Sequence, residues 1–209
     1  MKNMRLHAMI EAAILASMAM VLDLLPSIQL TAGISISFSM IPVFVVALRW
    51  GFRTGMLSGL LWGVLQVVLG DATILYIVQA FIEYLIAFPL VGVAGLFVYK
   101  VQQQIAEDKK RPAVIMVLLA IFLGSFARYF CHFIAGVYFF DQYAPENMSA
   151  VWYSFVINGT TMILTFILCA IVMSGLILVS PRFLVNRSLA WPDRGLGKSF
   201  GNNLKNIKR

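Results

Sequence analysis

Charged side chains are scarce in this chain of 209 residues, at 12% of the total, whereas hydrophobic residues make up 61%. A soluble globular domain has about a quarter charged residues and about half apolar ones. A water-soluble protein of this length could not bury so much apolar surface, and a disordered chain would not carry it. The composition therefore predicts an integral membrane protein, whose solvent is lipid.

Cysteine is equally rare, and the common catalytic motifs are missing. Cys131 and Cys169 both lie in apolar runs, so we predict neither a disulfide framework nor a metal site. The segment GLGKS (195–199) resembles the end of a phosphate-binding loop, but Pro192 stands where that motif needs glycine, and no strand precedes it. Because this motif is incomplete and the zinc-protease and nucleophile-elbow motifs are also absent, we expect no ATP binding by this chain and no cofactor.

Apolar runs predict an all-α membrane protein with six transmembrane helices. The runs lie at roughly 8–25, 38–48, 54–70, 72–99, 113–138 and 150–180. Since a helix needs about 20 residues to cross the hydrocarbon core, the second run is long enough only if it includes part of the Ser/Ile segment before it. We predict one transmembrane domain over 1–209, with a helical core over 1–181 and a basic cytoplasmic tail over 182–209.

The positions of Lys and Arg predict that both termini are cytoplasmic. With that orientation, 15 of the 16 basic residues lie on the inner side, and only Arg128 falls within a span. The outer segments around 26–37, 70–72 and 139–149 contain none. This asymmetry follows the positive-inside rule. The net charge of +7 is thereby explained by topology, and no nucleic-acid partner is expected.

Two charged residues are predicted inside the membrane, Glu83 in the fourth span and Arg128 in the fifth. A charge at the bilayer centre costs about 2.5–3.5 kcal/mol on insertion scales, so each one needs a reason. Polar stripes at helical spacing accompany them on the last three spans. The stripes are Tyr76, Gln79 and Glu83; Arg128, His132 and Gly136; and Ser154, Asn158, Thr161 and Thr165. Such faces should line a cavity or face one another.

The rise of about 1.5 Å per residue gives the expected depths of these groups. Glu83 is predicted about 17 Å below the outer end of its span, Arg128 about 15 Å, Asn158 about 12 Å and His132 about 9 Å. A ligand pocket is therefore expected in the outer half of the membrane, built by the fourth to sixth helices and the outer loops. Aromatic residues crowd its predicted mouth: Phe139, Phe140, Tyr143, Trp152 and Tyr153. They fit an interfacial belt, and equally a flat cationic heteroaromatic ligand bound through cation–π contacts.

Purely structural explanations stay open for these features. Glu83 and Arg128 could neutralise each other as an ion pair, and the Ser and Thr residues could be helix-packing contacts. Small residues also repeat every four positions elsewhere, as is typical of close helix packing or of docking a partner helix. These positions are Gly55, Gly59 and Gly63 in the third span, and Ala12, Ala13, Ala16 and Ser17 in the first.

Two segments carry a specific resemblance. They are LWGVLQVVLGDATILYIVQAFIEYLIAFPLVGVAG (61–95) and RYFCHFIAGVYFFDQYAPENMSAVWYSFVINGT (128–160). From residue 11 to the sixth span, the chain resembles the thiamine-specific substrate-binding component of bacterial energy-coupling factor (ECF) transporters. The resemblance is strongest at His-Phe-Ile-Ala-Gly and Gln-Tyr-Ala-Pro.

The resemblance implies a function and partners. It implies six helices in the bacterial cell membrane, high-affinity capture of thiamine from outside, and no ATPase in the chain itself. A membrane scaffold subunit and two cytoplasmic ATPases are the implied partners, besides membrane lipid. The small-residue motif on the first helix is implied as the docking site, which matches Ala12, Ala13, Ala16 and Ser17.

The resemblance also implies roles for residues of the last three helices. Glu83 is the implied carboxylate for the cationic ligand, and Tyr84 lies beside it. Arg128 stands where the family can have lysine, near the aminopyrimidine end. His132 is implied to contact the ligand ring, and Gly136 follows it.

Further implied contacts are hydrogen bonds from Tyr153 and Asn158, while Trp62 matches a tryptophan of the same region. Two features depart from the family pattern. Phe140 replaces a tryptophan that stacks on the pyrimidine, and residues 26–37 contain no tryptophan, for which Phe38 or Tyr76 are the candidate replacements. Arginine in place of lysine changes hydrogen-bond geometry and removes the option of a neutral side chain.

Two other functions remain open. One is binding of a different vitamin or a thiamine precursor on the same scaffold. The other is an intramembrane enzyme that uses Glu83 and His132 as acid and base. Their predicted depths differ by about 8 Å, and no nucleophile stands near them, which disfavours this second alternative.

Overall fold

The computed structural model describes residues 2–24, 28–31 and 34–186. In that part of the chain the main helices are α1 (Lys2–Leu24), α2 (Met40–Trp50), α3 (Phe52–Val68), α4 (Ile77–Ala106), α5 (Lys110–Phe139) and α6 (Ala150–Val179). A short antiparallel hairpin of β1 (Ile28–Thr31) and β2 (Ile34–Ile36) lies between α1 and α2. Single 3₁₀ turns at Asp141–Tyr143 and Pro181–Leu184 follow α5 and α6. Most of the predicted basic tail, from residue 187 onward, lies outside the described residues.

Helices α1, α4, α5 and α6 are long and apolar enough to cross a membrane. Helices α2 and α3 have 11 and 17 residues. At about 1.5 Å per residue, α2 extends only about 16 Å, roughly half of the hydrocarbon core. The chain therefore has a helix in each of the six predicted regions, whereas the count of six membrane spans and the side of the termini stay predictions.

Helix α2 forms the centre of the bundle. Its buried residues are Met40, Pro42, Val43, Phe44, Val45, Val46, Ala47 and Leu48. A helix that is apolar on all sides belongs in a core, and an apolar run of about 10–14 residues is typical of a buried helix. The shortness of the second predicted span thus has a physical reason, because α2 packs against the other helices over most of its surface.

Helix α4 begins five residues later than the apolar run predicts, at Ile77 instead of residue 72. Gln79 fixes this start, since its Oε1 accepts hydrogen bonds from the backbone N–H groups of Leu75 (3.0 Å) and Tyr76 (3.4 Å). A side chain that caps the first turn in this way satisfies donors that the helix leaves free. The residues before Tyr76 therefore form an irregular outer segment.

Glycines bring α3 and α4 into backbone contact. A Cβ at Gly59 would lie 2.3 Å from the carbonyl oxygen of Phe88, and one at Gly63 would lie 2.0 Å from that of Tyr84. A Cβ at Gly55 would meet Ala47 at 2.7 Å. Small residues permit this close approach of helices. The predicted glycine face is thus used within the chain, and it fixes α3 against the part of α4 that carries Glu83.

Candidate functional site

A cavity of about 620 Å³ opens between α4, α5 and α6. This volume lies in the range of small-molecule sites, about 300–1,000 Å³. The lining residues are Thr73, Glu83, Tyr84, His132, Gly136, Phe140, Tyr143, Tyr153, Ser154, Ile157 and Asn158. Aromatic rings with a few convergent polar groups are typical of a binding site. Seven of the nine predicted ligand residues line the cavity, and Arg128 and Trp62 do not.

Glu83 is the carboxylate of this cavity, and it is buried, with 9% of its surface exposed. Its Oε2 accepts a hydrogen bond from Gln79 Nε2, and its Oε1 lies 3.1 Å from His132 Nδ1. The Gln79 amide also donates to the carbonyl of Thr73, at 3.0 Å. These contacts hold the carboxylate in one orientation. Among the described residues it forms no ion pair with Lys or Arg, so the structure does not contain the alternative Glu83–Arg128 pair.

The local helix geometry around Glu83 is unusual. Residues Phe81–Ala87 form π-helical turns, followed after one short α-helical segment by 3₁₀ turns over Val91–Phe97. Both Glu83 and the next residue, Tyr84, line the cavity. Single π-helical turns inside α-helices are frequent at functional sites. The irregular winding thus coincides with the two α4 residues that were predicted to bind ligand.

The contact between Glu83 and His132 contradicts their predicted difference in depth. That estimate counted from residue 72, but α4 begins at Ile77, so Glu83 lies only about 9 Å below the start of the helix. His132 lies about 10 Å below Phe139, the last residue of α5. The two side chains are therefore level. The depth argument against an acid–base pair was therefore wrong.

His132 connects the cavity to Arg128. The Arg128 Nε–H group lies 3.4 Å from His132 Nε2. Since arginine only donates hydrogen bonds, Nε2 must accept, and a neutral imidazole then carries its proton on Nδ1. That proton faces the Glu83 carboxylate. The hydrogen-bond pattern thus assigns the tautomer of His132.

Arg128 lies behind the cavity, in an aromatic cage that we define by the rings of Trp62, Phe88 and Tyr129. The guanidinium carbon is 4.4, 4.2 and 5.7 Å from their respective centroids. These distances fall within about 6 Å, the range of a cation–π contact. Trp62 is fully buried and forms a wall of this cage. Arg128 and Trp62 therefore lie behind the residues that line the cavity, although both were predicted to line it.

Asp23, near the end of α1, is a carboxylate whose role the sequence did not indicate. One of its oxygens accepts hydrogen bonds from Ser37 and Ser39, and the other from Trp62 Nε1, at 2.7 Å, and from Gln66. At the end of an apolar run, Asp23 resembled an ordinary flanking residue. The usable signal was the polar pair Trp62 and Gln66, which lie one helical turn apart on α3.

Helix α6 approaches α5 closely at Gly136. A Cβ there would lie 2.2 Å from Ser154 Oγ. Ser154 donates to the carbonyl of Phe133 at 2.8 Å, and Asn158 Nδ2 donates to Ser154 O at 3.1 Å. These contacts fix the amide of Asn158 at the cavity. Further along α6, the Thr161 hydroxyl donates to the Ile157 carbonyl of its own helix at 2.8 Å, as expected for a packing residue.

The predicted aromatic mouth divides into two parts. Phe140, Tyr143 and Tyr153 line the cavity, and the rings of Phe140 and Tyr143 lie 6.1 Å apart. Trp152 is 56% exposed and stacks on Phe155, as expected for an interfacial belt. Neither candidate replacement for the missing tryptophan lines the cavity: Phe38 is 43% exposed, and Tyr76 packs on Phe139.

The predicted docking residues on α1 fall into two groups. Ala12 and Ala16 are fully buried, and the carbonyl of Ala12 accepts a hydrogen bond from Ser58 of α3 at 3.0 Å. These two alanines therefore pack inside the chain. Ala13 and Ser17 are exposed. They form a small-residue strip on the outer face of α1, flanked by exposed Met9, Ile10, Ile14, Met18 and Val21.

Comparisons with known proteins agree on one family. A family model described as "Thiamine transporter protein" matches residues 9–185. The thiamine transporter ThiT of Bacillus subtilis is 35% identical over 185 residues, which cover 88% of this chain and 96% of the relative. The ThiT of Lacticaseibacillus paracasei is 33% identical over 202 residues, which cover 95% and 96%.

A solved structure gives the same answer for the fold. The ThiT structure from Listeria monocytogenes superposes with a TM-score of 0.85 at 36% sequence identity, and the match covers 88% of this chain and 100% of that one. Together with the four long apolar helices, the relatives indicate a multi-pass protein of a bacterial membrane. The relatives are transporters, which leaves no support for the enzyme alternative.

Proposed function

Because the chain belongs to the thiamine transporter protein family, we propose that it is the high-affinity thiamine-binding subunit of an ATP-driven importer of the energy-coupling factor type. The proposal rests above all on Glu83, a buried carboxylate in a cavity lined by aromatic rings. Thiamine carries a permanent positive charge on one of two linked aromatic rings. The site offers a counter-charge for the cation and flat apolar surfaces for the rings.

The lining residues have different roles in ligand recognition. Glu83 complements the positive charge, and Phe140 with Tyr143 supplies an aromatic wall. Asn158 and Tyr84 offer polar groups that orient the ligand. His132 presents its ring at the cavity while its Nδ1 proton bonds to Glu83. A small number of fixed polar groups in an apolar cavity is how such sites achieve specificity.

The charge of the site favours thiamine over a neutral vitamin on the same scaffold. A neutral ligand would exclude water from the Glu83 carboxylate without supplying a counter-ion. Burying an uncompensated charge costs free energy, so the affinity for such a ligand would fall. Competition between thiamine and riboflavin, whose ring system is flat and neutral, separates these two possibilities.

Uptake would require partners in the membrane and the cytoplasm. The chain lacks a complete nucleotide-binding motif, so the energy must come from elsewhere. Ala13 and Ser17 form the exposed small-residue strip on α1 that suits close approach of a partner helix. We assign this strip, without the buried Ala12 and Ala16, to docking on the scaffold subunit that carries the two ATPases.

A titration of the purified, detergent-solubilised protein with thiamine tests the proposal. The chain has four tryptophans, so intrinsic fluorescence is a convenient signal, and calorimetry provides a label-free check. We expect saturable binding below about 1 µM, equivalent to more than about 8 kcal/mol, without ATP or partners. A flat calorimetric titration with thiamine, together with binding of riboflavin, would instead favour another vitamin.

A further inference from the structure

Asp23 and Arg128 contact the same indole from different directions. The Asp23 carboxylate accepts the Trp62 Nε1–H at 2.7 Å, and the Arg128 guanidinium lies over the ring of Trp62 at 4.4 Å. A ring that donates its N–H to an anion becomes more electron-rich and attracts a cation over its face more strongly. The hydrogen bond from Trp62 to Asp23 should therefore strengthen the contact between Arg128 and the ring.

Arg128 also has a competing partner within reach. His132 bridges it to Glu83, with its Nε2 3.4 Å from Arg128 Nε and its Nδ1 3.1 Å from Glu83 Oε1. A guanidinium and a carboxylate form strong, often bidentate pairs. If Arg128 left the cage and formed an ion pair with Glu83, it would neutralise the carboxylate that a cationic ligand needs. The cage thus decides whether Glu83 is available.

We propose that Asp23 is a positioning residue of the ligand site, which holds Arg128 in the aromatic cage through Trp62 and so keeps Glu83 free for a cation. This inference rests on the proposed thiamine binding. It also accounts for the charges of Asp23, Glu83 and Arg128 taken together. Two carboxylates and one guanidinium, with a neutral His132, leave one negative charge, which a monocationic ligand neutralises.

Asp23 has a second set of contacts that a test must separate. It accepts hydrogen bonds from Ser37, at 3.0 Å, and from Ser39, and so anchors the segment that leads into α2. Loss of affinity in Asp23→Asn alone could come from this anchor. Ser39→Ala is the matched control, because it removes one anchoring bond and leaves the bond between Asp23 and Trp62 in place.

The decisive experiment is a double-mutant cycle on thiamine affinity, measured by calorimetry. We expect Asp23→Asn to weaken binding about tenfold, and Ser39→Ala by less than about threefold. Adding Arg128→Met to Asp23→Asn should restore the affinity to within about threefold of Arg128→Met alone. A neutral isostere of thiamine, with carbon in place of the thiazolium nitrogen, should lose less than about threefold in Asp23→Asn.

Other outcomes overturn the inference. Additive losses from Asp23→Asn and Arg128→Met, an equal loss for the neutral isostere, or a tenfold loss in Ser39→Ala would reduce Asp23 to a structural anchor. If Asp23→Asn does not fold, Trp62→Phe keeps a ring in the cage but removes the N–H donor, and the same rescue by Arg128→Met is required. A wild-type protein that does not bind thiamine would overturn the proposed function itself, whereas binding without rescue overturns this inference alone.

Discussion

At the scale of single residues, the site is organised around one negative charge. Gln79 and His132 hold the Glu83 carboxylate by hydrogen bonds, and neither is a permanent cation. A charge within a membrane costs about 2.5–3.5 kcal/mol on insertion scales, so its retention needs a function or a counter-ion. Because Arg128 is engaged with aromatic rings, we propose that the ligand is the counter-ion of Glu83.

Replacing Glu83 by Gln should weaken thiamine binding by at least about tenfold, or 1.4 kcal/mol, because it removes the charge and keeps the shape of the side chain. Calorimetry on the purified variant measures this change. Glu107→Gln, at an exposed position just after α4, is the matched control, since it makes the same change of charge away from the cavity. Unchanged affinity in a folded Glu83→Gln protein would show that the carboxylate has only a structural role.

Replacing Phe140 by Ala should weaken thiamine binding by roughly 0.5–1.5 kcal/mol, because a ring of the cavity wall is lost. Phe155→Ala is the matched control, since Phe155 is 55% exposed and stacks on Trp152 away from the cavity. Fluorescence titration of both variants gives the comparison. Equal affinities in the two variants would exclude Phe140 as the stacking surface that replaces the family's tryptophan.

At the scale of elements, backbone contacts between helices set the position of the site. Gly63 lies against the Tyr84 carbonyl, inside the π-helical turns that also carry Glu83. Gly136 similarly admits Ser154, which in turn fixes Asn158. The polar groups of the cavity are thus positioned by glycines on the facing helices, where an added methyl group has no space.

Gly63→Ala should destabilise the protein by about 1–3 kcal/mol, because the new Cβ would lie 2.0 Å from a carbonyl oxygen and the helices must separate. A lower thermal unfolding temperature in detergent is the expected readout. Gly175→Ala in α6 is the control, since nothing lies within 4 Å of the Cβ that alanine would add there, and alanine favours a helix. Equal stability of the two variants would argue against the tight α3–α4 contact.

Ala13→Trp should leave thiamine affinity within about threefold and reduce association with the scaffold and ATPase subunits, because a large side chain then covers the exposed small-residue strip of α1. Co-purification of the tagged protein with its partners measures association. Gly175→Leu, which adds bulk where open space is available on α6, should leave association intact. Simultaneous loss of binding and association in Ala13→Trp would mean that the two surfaces are not independent.

At the scale of the whole molecule, the proposed function divides ligand capture and energy supply between subunits. The site lies among α4, α5 and α6, while the exposed strip proposed for docking lies on α1. The core helix α2 packs between these parts and has eight buried residues. A bundle packed around one core helix suits the proposed subunit, which would bind ligand alone and move as one body when partners supply energy.

The isolated protein, reconstituted in lipid vesicles, should bind thiamine but not accumulate it. Accumulation should appear when the scaffold and ATPase subunits and ATP are added, because the chain has no complete nucleotide-binding motif. Transport of radiolabelled thiamine into vesicles measures both conditions. Accumulation by the chain alone under an ion gradient would contradict the ECF assignment.

The sequence by itself determined the membrane class, the helical regions and most of the cavity. A chain with few charges and long apolar runs requires a lipid environment. Helical spacing placed Glu83, His132 and Asn158 on polar stripes that were expected to face one another. The tertiary structure decided which groups actually meet. The pattern of apolar residues contains no information about a side-chain cap such as Gln79. The predicted start of α4 was therefore too early, and the predicted depth of Glu83 in the membrane was too large.

Long-range partners were beyond the sequence for a related reason. Trp62 joins Asp23 to Arg128 across three helices, and no periodicity within one helix encodes such a contact. The same holds for α1, because the spacing of its four small residues predicted the same docking role for all of them. Packing buried Ala12 and Ala16 and left Ala13 and Ser17 exposed, because only one face of a helix can contact its own bundle.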